Sequence, residues 1–87
     1  MKVSADLILR EVAGENVLIP SGELASQIYG ILSLNESGVF LYKKLQKDCT
    51  KEELIDALLE EYEIDRETAA KDLERFLKKM EEAKILC

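Results

Sequence analysis

The backbone-bending residues of this chain are confined to its first half. All four glycines and the single proline lie between Gly14 and Gly38. Because glycine and proline interrupt regular structure, the chain is expected to begin with short turn-linked segments and to continue with helices. Strands grouped before helices are typical of an α+β fold. A length of 87 residues is expected to form one domain, spanning 1–87.

Three segments in the first half have the composition of strands. Residues 6–12 would place Leu7 and Leu9 on one face of a strand and Ile8 and Arg10 on the other. Residues 16–20 are rich in β-branched residues, and residues 28–34 form a third run. A turn at residues 13–16 would join the first two as an antiparallel hairpin, with Gly14 and Asn16 available for positive φ. The strands are therefore expected within residues 6–34.

Three helices are expected within residues 35–84, each with a recognisable start. Asn35 and Asp65 are good N-caps for the first and the third, and Thr50 with Glu53 forms a capping box for the second. Apolar residues recur at helical spacing after each cap. In the third helix they form one stripe, which consists of Ala69, Leu73, Phe76, Leu77 and Met80.

Composition disfavours several classes of function. The chain has no histidine and only two cysteines, and no glycine-rich loop leads from a strand into a helix. An enzyme, a metal site and a bound cofactor are therefore not expected. The net charge is −6, and residues 49–87 carry seven basic and twelve acidic side chains. A nucleic-acid partner is disfavoured for this reason.

Membrane insertion and secretion are not expected either. No apolar run approaches the roughly 20 residues of a membrane span, and the first residues lack the apolar middle region of a secretory signal. The expected location is therefore the cytoplasm.

The longest uncharged stretch, residues 24–35, contains the whole third strand. It lacks the charges and prolines that usually protect a strand edge. The strand is therefore either covered within the sheet or open to a second backbone, and Gly30 slightly favours the open alternative. On the third helix, Ala70 and Leu77 widen the apolar stripe to one side, where they could complete the core or line a groove. Lys71, Arg75 and Lys78 are expected to face solvent.

Four segments, taken in order, resemble the family of coenzyme PQQ synthesis protein D (PqqD). They are REVAGENVLIP (10–20), ILSLNESGVFLY (31–42), TKEELIDALLEEYEID (50–65) and AAKDLERFLKKM (69–80). The most specific part is Leu34-Asn35-x-x-Gly38 followed by Tyr42 and Leu45. The stretch Asp72-Leu73-x-x-Phe76-Leu77 is the next most specific.

The resemblance implies a winged-helix-like domain in which a three-stranded antiparallel sheet is followed by a three-helix bundle. Members of the family are non-catalytic recognition elements for ribosomally synthesised and post-translationally modified peptides. They bind the leader segment of the precursor by β-augmentation and present it to a modifying enzyme, often a radical S-adenosylmethionine enzyme. The leader lies along the third strand and against the third helix. The binding residues implied here are Ile28, Tyr29, Gly30, Ile31, Leu32, Ser33, Ala70, Leu73, Glu74 and Leu77.

Two other functions remain open from the sequence. A winged-helix DNA-binding regulator would share the outline of the fold, although the acidic second half disfavours it. A structural subunit could instead pair its open strand with a second copy of itself. The expected state is a monomer or a weak homodimer.

Overall fold

The computed structural model describes residues 1–4, 6–22 and 32–86. Within them, the chain forms three antiparallel strands followed by three helices, so the expected α+β fold is confirmed. In the sheet, β2 lies between β1 and β3. Residues 28–31 of the predicted third strand lie outside the described residues. The elements are β1 (Leu7–Val12), β2 (Glu15–Pro20), β3 (Leu32–Leu34), α1 (Glu36–Lys44), α2 (Lys51–Glu61) and α3 (Arg66–Glu82).

The turn between β1 and β2 is tighter than the sequence suggests. Only Ala13 and Gly14 form it, with φ angles of 53° and 83°, and Val12 pairs directly with Glu15. The predicted turn at residues 13–16 was too long, because Glu15 and Asn16 belong to β2 and Asn16 does not have a positive φ. Two central residues with positive φ form a type I′ turn, whose twist matches that of the flanking strands.

All three predicted helix caps are present. The Asn35 side chain accepts from the Gly38 N–H, and Thr50 and Glu53 form the reciprocal capping box. Asp65 accepts from the Thr68 N–H at 2.8 Å. Hydrogen bonds from the side chain and backbone of Thr68 hold the pKa of the Asp65 carboxyl below its usual range. Each helix therefore begins where a local side chain satisfies its otherwise unpaired N–H groups.

The core lies between one face of the sheet and the three helices. The predicted apolar stripe of α3 is buried along its whole length, from Ala69 to Met80. No polar or charged side chain of the described residues is buried. The largest fully buried side chains come from β2, from all three helices and from the segments next to α1 and α3. They are Leu18, Leu41, Leu45, Leu54, Leu58, Leu73, Met80 and Ile85.

Both ends of the described chain are tied to this core. The backbone N–H of Val3 donates to the Leu45 carbonyl at 3.0 Å, and that of Ser4 donates to the Ile85 carbonyl at 2.8 Å. Val3 also forms an isolated bridge with Leu86. Among the helices described, none has the length and apolarity needed to cross a membrane.

Candidate functional site

The short hairpin turn determines where the backbone groups of β2 point. In a two-residue hairpin, the residue after the turn donates its N–H to the carbonyl of the residue before it. Val12 and Glu15, which pair across the turn, are therefore hydrogen-bonded to each other. Bonded and non-bonded pairs alternate along an antiparallel ladder, so Val17 is again bonded to its partner Arg10. The N–H and C=O groups of Val17 consequently face β1.

The same alternation determines how β2 pairs with β3. Asn16 and Leu18 point towards β3, where they pair with Leu34 and Leu32. Ser33 lies opposite Val17 and so occupies the non-bonded position of this second ladder. Both the N–H and the C=O of Ser33 must therefore point away from β2, towards the outer edge of the sheet.

A side chain from α3 reaches the same edge. The Lys79 ammonium donates a hydrogen bond to the Ser33 carbonyl, which independently places this carbonyl on the side away from β2. The Ser33 N–H has no hydrogen-bond partner among residues 1–4, 6–22 and 32–86. Outward N–H and C=O groups on the last strand of a sheet are the groups with which a further extended backbone pairs.

A groove lies beside this edge, between β3, the start of α1 and one flank of α3. Its volume is about 240 Å³. The aromatic ring of Phe76, only 7% exposed, belongs to both the groove and the core. At the α1 side, the absence of a side chain at Gly38 lets the Asn35 side chain lie close to the helix backbone. A Cβ at position 38 would lie 3.0 Å from the Asn35 side-chain oxygen. The lining residues are Ser33, Leu34, Asn35, Ser37, Gly38, Asp72, Arg75, Phe76 and Lys79.

The groove carries more positive than negative charge, although the chain as a whole is acidic. Arg75 donates to the Asp72 carboxylate at 3.0 Å, an i,i+3 pair on α3. Arg75 is 78% exposed in this pair, so solvent screens it and its contribution to stability is small. Lys79 adds a second cation one turn further along the helix. An anionic or polar ligand would meet a locally favourable field here, despite the net charge of −6.

The residues expected to bind a peptide are distributed over several places. Leu32 and Ser33 lie in β3, and Ser33 lines the groove, whereas Ile28, Tyr29, Gly30 and Ile31 lie outside the described residues.

On α3, the four predicted positions lie away from this groove. Leu73 and Leu77 are 1% and 6% exposed and pack in the core. Ala70 is half-buried, and Glu74 is exposed beside Lys71, Arg75 and Lys78. Whether these four positions contact a ligand stays a prediction.

Sequence reasoning did not select the α3 residues that line the groove, namely Asp72, Arg75, Phe76 and Lys79. Their spacing of three, four and seven residues places them on one flank of a helix. Two signals were available. Asp72 and Phe76 belong to the Asp72-Leu73-x-x-Phe76-Leu77 stretch already singled out, and Lys79 follows Arg75 by one turn. Neither signal indicates which flank faces the sheet.

A family model and a solved structure match this chain. The family model described as coenzyme PQQ synthesis protein D (PqqD) matches residues 15–86. A solved structure, described as TbiB1 in complex with the TbiA(beta) leader peptide, superposes with a TM-score of 0.76. The two sequences are 27% identical, and the match covers 99% of this chain and 94% of that chain. A search of curated proteins returned no significant match.

Proposed function

Because the chain belongs to the coenzyme PQQ synthesis protein D family, we propose that it binds the leader segment of a ribosomally made precursor peptide. The observation that carries this proposal is the outward direction of the Ser33 backbone groups beside the groove. The likeness to TbiB1, whose structure contains a leader peptide, supports it further.

The peptide would bind as an additional strand. Its backbone N–H would donate to the Ser33 carbonyl, and its carbonyl would accept from the Ser33 N–H. Such main-chain hydrogen bonds give affinity that tolerates sequence variation, while pockets for alternate side chains give selectivity. The neighbouring groove, with the buried ring of Phe76 in its wall, would receive those side chains. The predicted residues Ile28–Ile31, Ala70, Leu73, Glu74 and Leu77 remain part of this proposal.

The role proposed for the protein is binding without catalysis. It would hold the leader so that a separate modifying enzyme, such as a radical S-adenosylmethionine enzyme, encounters the rest of the precursor at a high effective concentration. The lack of any histidine in the chain supports a role that needs no general base. In this role, residues 1–87 act as one peptide-binding domain in the cytoplasm, where precursor and enzyme are made.

The test compares the two parts of a single precursor. The first step is to search the genes beside this one for a short precursor peptide, whose leader segment and following segment are then synthesised as two separate peptides. In fluorescence anisotropy, the labelled leader is expected to bind saturably with moderate affinity, since a disordered peptide loses conformational entropy when it becomes ordered. The following segment is expected not to bind.

Two outcomes would contradict the proposal. Equal binding of both segments would indicate nonspecific association, and absence of leader binding would remove the proposed ligand. Binding of a labelled DNA duplex at low salt is measured in the same way, to test the alternative that the protein is a DNA-binding regulator. Tight and salt-sensitive DNA binding would favour that alternative instead.

A further inference from the structure

Lys79 occupies the acceptor that a bound peptide needs. Its ammonium donates to the Ser33 carbonyl, on the edge of β3 that faces away from β2. A strand added at this edge would direct its own N–H to the same carbonyl. The ammonium would then either leave the carbonyl or donate to the second lone pair of its oxygen, while the peptide N–H donates to the first. In both cases it would lie directly beside the bound peptide.

Among residues 1–4, 6–22 and 32–86, no spare anion of the groove compensates this ammonium. Three charged side chains from these residues line the groove, and the one carboxylate among them, Asp72, already accepts from Arg75 at 3.0 Å. A peptide lying in the groove also displaces water from the Lys79 side chain. When a cation loses water and a hydrogen-bond acceptor, the free energy of binding becomes less favourable unless a new acceptor replaces them.

We infer, resting on the proposed function, that this groove selects peptides with an aspartate or glutamate side chain placed against Lys79. The carboxylate would accept a hydrogen bond from the Lys79 ammonium when a peptide N–H donates to the Ser33 carbonyl. Charge-assisted hydrogen bonds of this kind are stronger than those between neutral groups.

This preference for acidic peptides is opposite to the preference expected from the net charge of the whole protein. A chain with a net charge of −6 attracts basic peptides over long distances. A basic side chain placed in the groove would instead be repelled by the Lys79 ammonium. An acidic preference would therefore identify the groove, because general electrostatic attraction to the protein would give the reverse.

A displayed library of random 12-residue peptides tests this inference, since it samples many ligand sequences at once. The library is selected separately on the wild-type protein, on Lys79→Glu and on Lys78→Glu. Lys78 is the matched control, because it lies next to Lys79 on α3, is exposed and does not line the groove. The two variants change the net charge equally, so only a local effect can separate them.

The wild type and Lys78→Glu are expected to enrich peptides with an acidic residue at a fixed position. Lys79→Glu is expected to lose this enrichment or to replace it with lysine and arginine. A selected acidic peptide should bind Lys79→Glu about tenfold more weakly than it binds the wild type, as expected for a charge-assisted hydrogen bond of ordinary strength. Replacing its acidic residue by the amide should remove most of the difference between the two proteins.

The possible failures are distinguishable. Peptides selected without an acidic signature, or with the same signature on both variants, would overturn the inference and leave peptide binding itself intact. If neither the wild type nor the variants retain any peptide, the proposed function fails together with the inference.

Discussion

Replacing Ser33 by proline is expected to weaken leader binding by about tenfold or more. Proline lacks a backbone N–H, and its ring occupies the space next to the nitrogen. Because the Ser33 N–H points away from β2, this substitution removes no hydrogen bond of the β2–β3 ladder. It removes one main-chain hydrogen bond to the peptide and blocks the approach of the added strand. Together these losses exceed the roughly 1.4 kcal/mol that corresponds to a factor of ten.

Ser33→Ala is the matched control for this experiment. It removes the exposed side chain but keeps the backbone donor, and it is expected to bind the leader as the wild type does. Both variants should unfold in urea close to the wild-type midpoint, since proline is tolerated on an edge strand. The account would be contradicted if Ser33→Pro bound normally, or if both variants lost affinity to the same extent.

The second large effect concerns Leu73, which the sequence placed both in the core stripe and in the expected binding set. In the structure only 1% of this residue is exposed, and it packs within the main apolar cluster. Leu73→Ala is therefore expected to lower the free energy of unfolding by about 2–5 kcal/mol, through lost apolar burial and the cavity left behind. Urea unfolding followed by circular dichroism measures this change. For a domain of this size, such a loss is a large part of the total stability.

Glu74→Ala, one residue further along α3, is the control for this prediction. Glu74 is exposed, and its removal is expected to change the free energy of unfolding by no more than about 0.5 kcal/mol. A Leu73→Ala variant that kept wild-type stability but lost leader affinity would contradict the assignment to the core. It would also indicate that Leu73 contacts the leader directly.

Features that depend on neighbouring residues could be predicted from the sequence. The caps at Asn35, Thr50 and Asp65 are confirmed, because a cap needs only a polar side chain and the N–H groups two or three residues later. The buried stripe of α3 is also confirmed, since its spacing follows directly from helix geometry. The order of strands before helices follows from where glycine and proline fall.

Turn and register were harder to predict. The turn of Ala13 and Gly14 requires an alanine with a φ of 53°, a conformation that alanine seldom adopts, so the sequence predicted a longer turn that included Asn16. The pairing of Ser33 with Val17 is a contact between distant residues, and no local pattern specifies it. A shift by one residue would turn the backbone groups of Leu32 and Leu34 outward instead.

The location of the groove could not be derived from α3 alone. A helical wheel shows which arc is apolar, but the rotation of the helix against the sheet decides which edge of that arc meets β3. The wheel left open whether Ala70 and Leu77 complete the core or line a groove, and only the resemblance implied binding on their flank. The groove beside β3 instead uses Asp72, Arg75, Phe76 and Lys79. The contact between Lys79 and the Ser33 carbonyl joins elements 46 residues apart, and only the folded chain reveals it.

Amide hydrogen exchange at Ser33, measured with and without a saturating amount of leader peptide, shows whether the peptide pairs with the outer edge of β3. In the free protein, the outward N–H of Ser33 is expected to exchange rapidly, while the N–H groups of Leu32 and Leu34, which face β2, exchange slowly. Leader binding is expected to slow exchange at Ser33 strongly and to change Leu32 and Leu34 little. If the leader binds tightly while Ser33 continues to exchange as it does in the free protein, the peptide does not pair with this edge and the account is wrong.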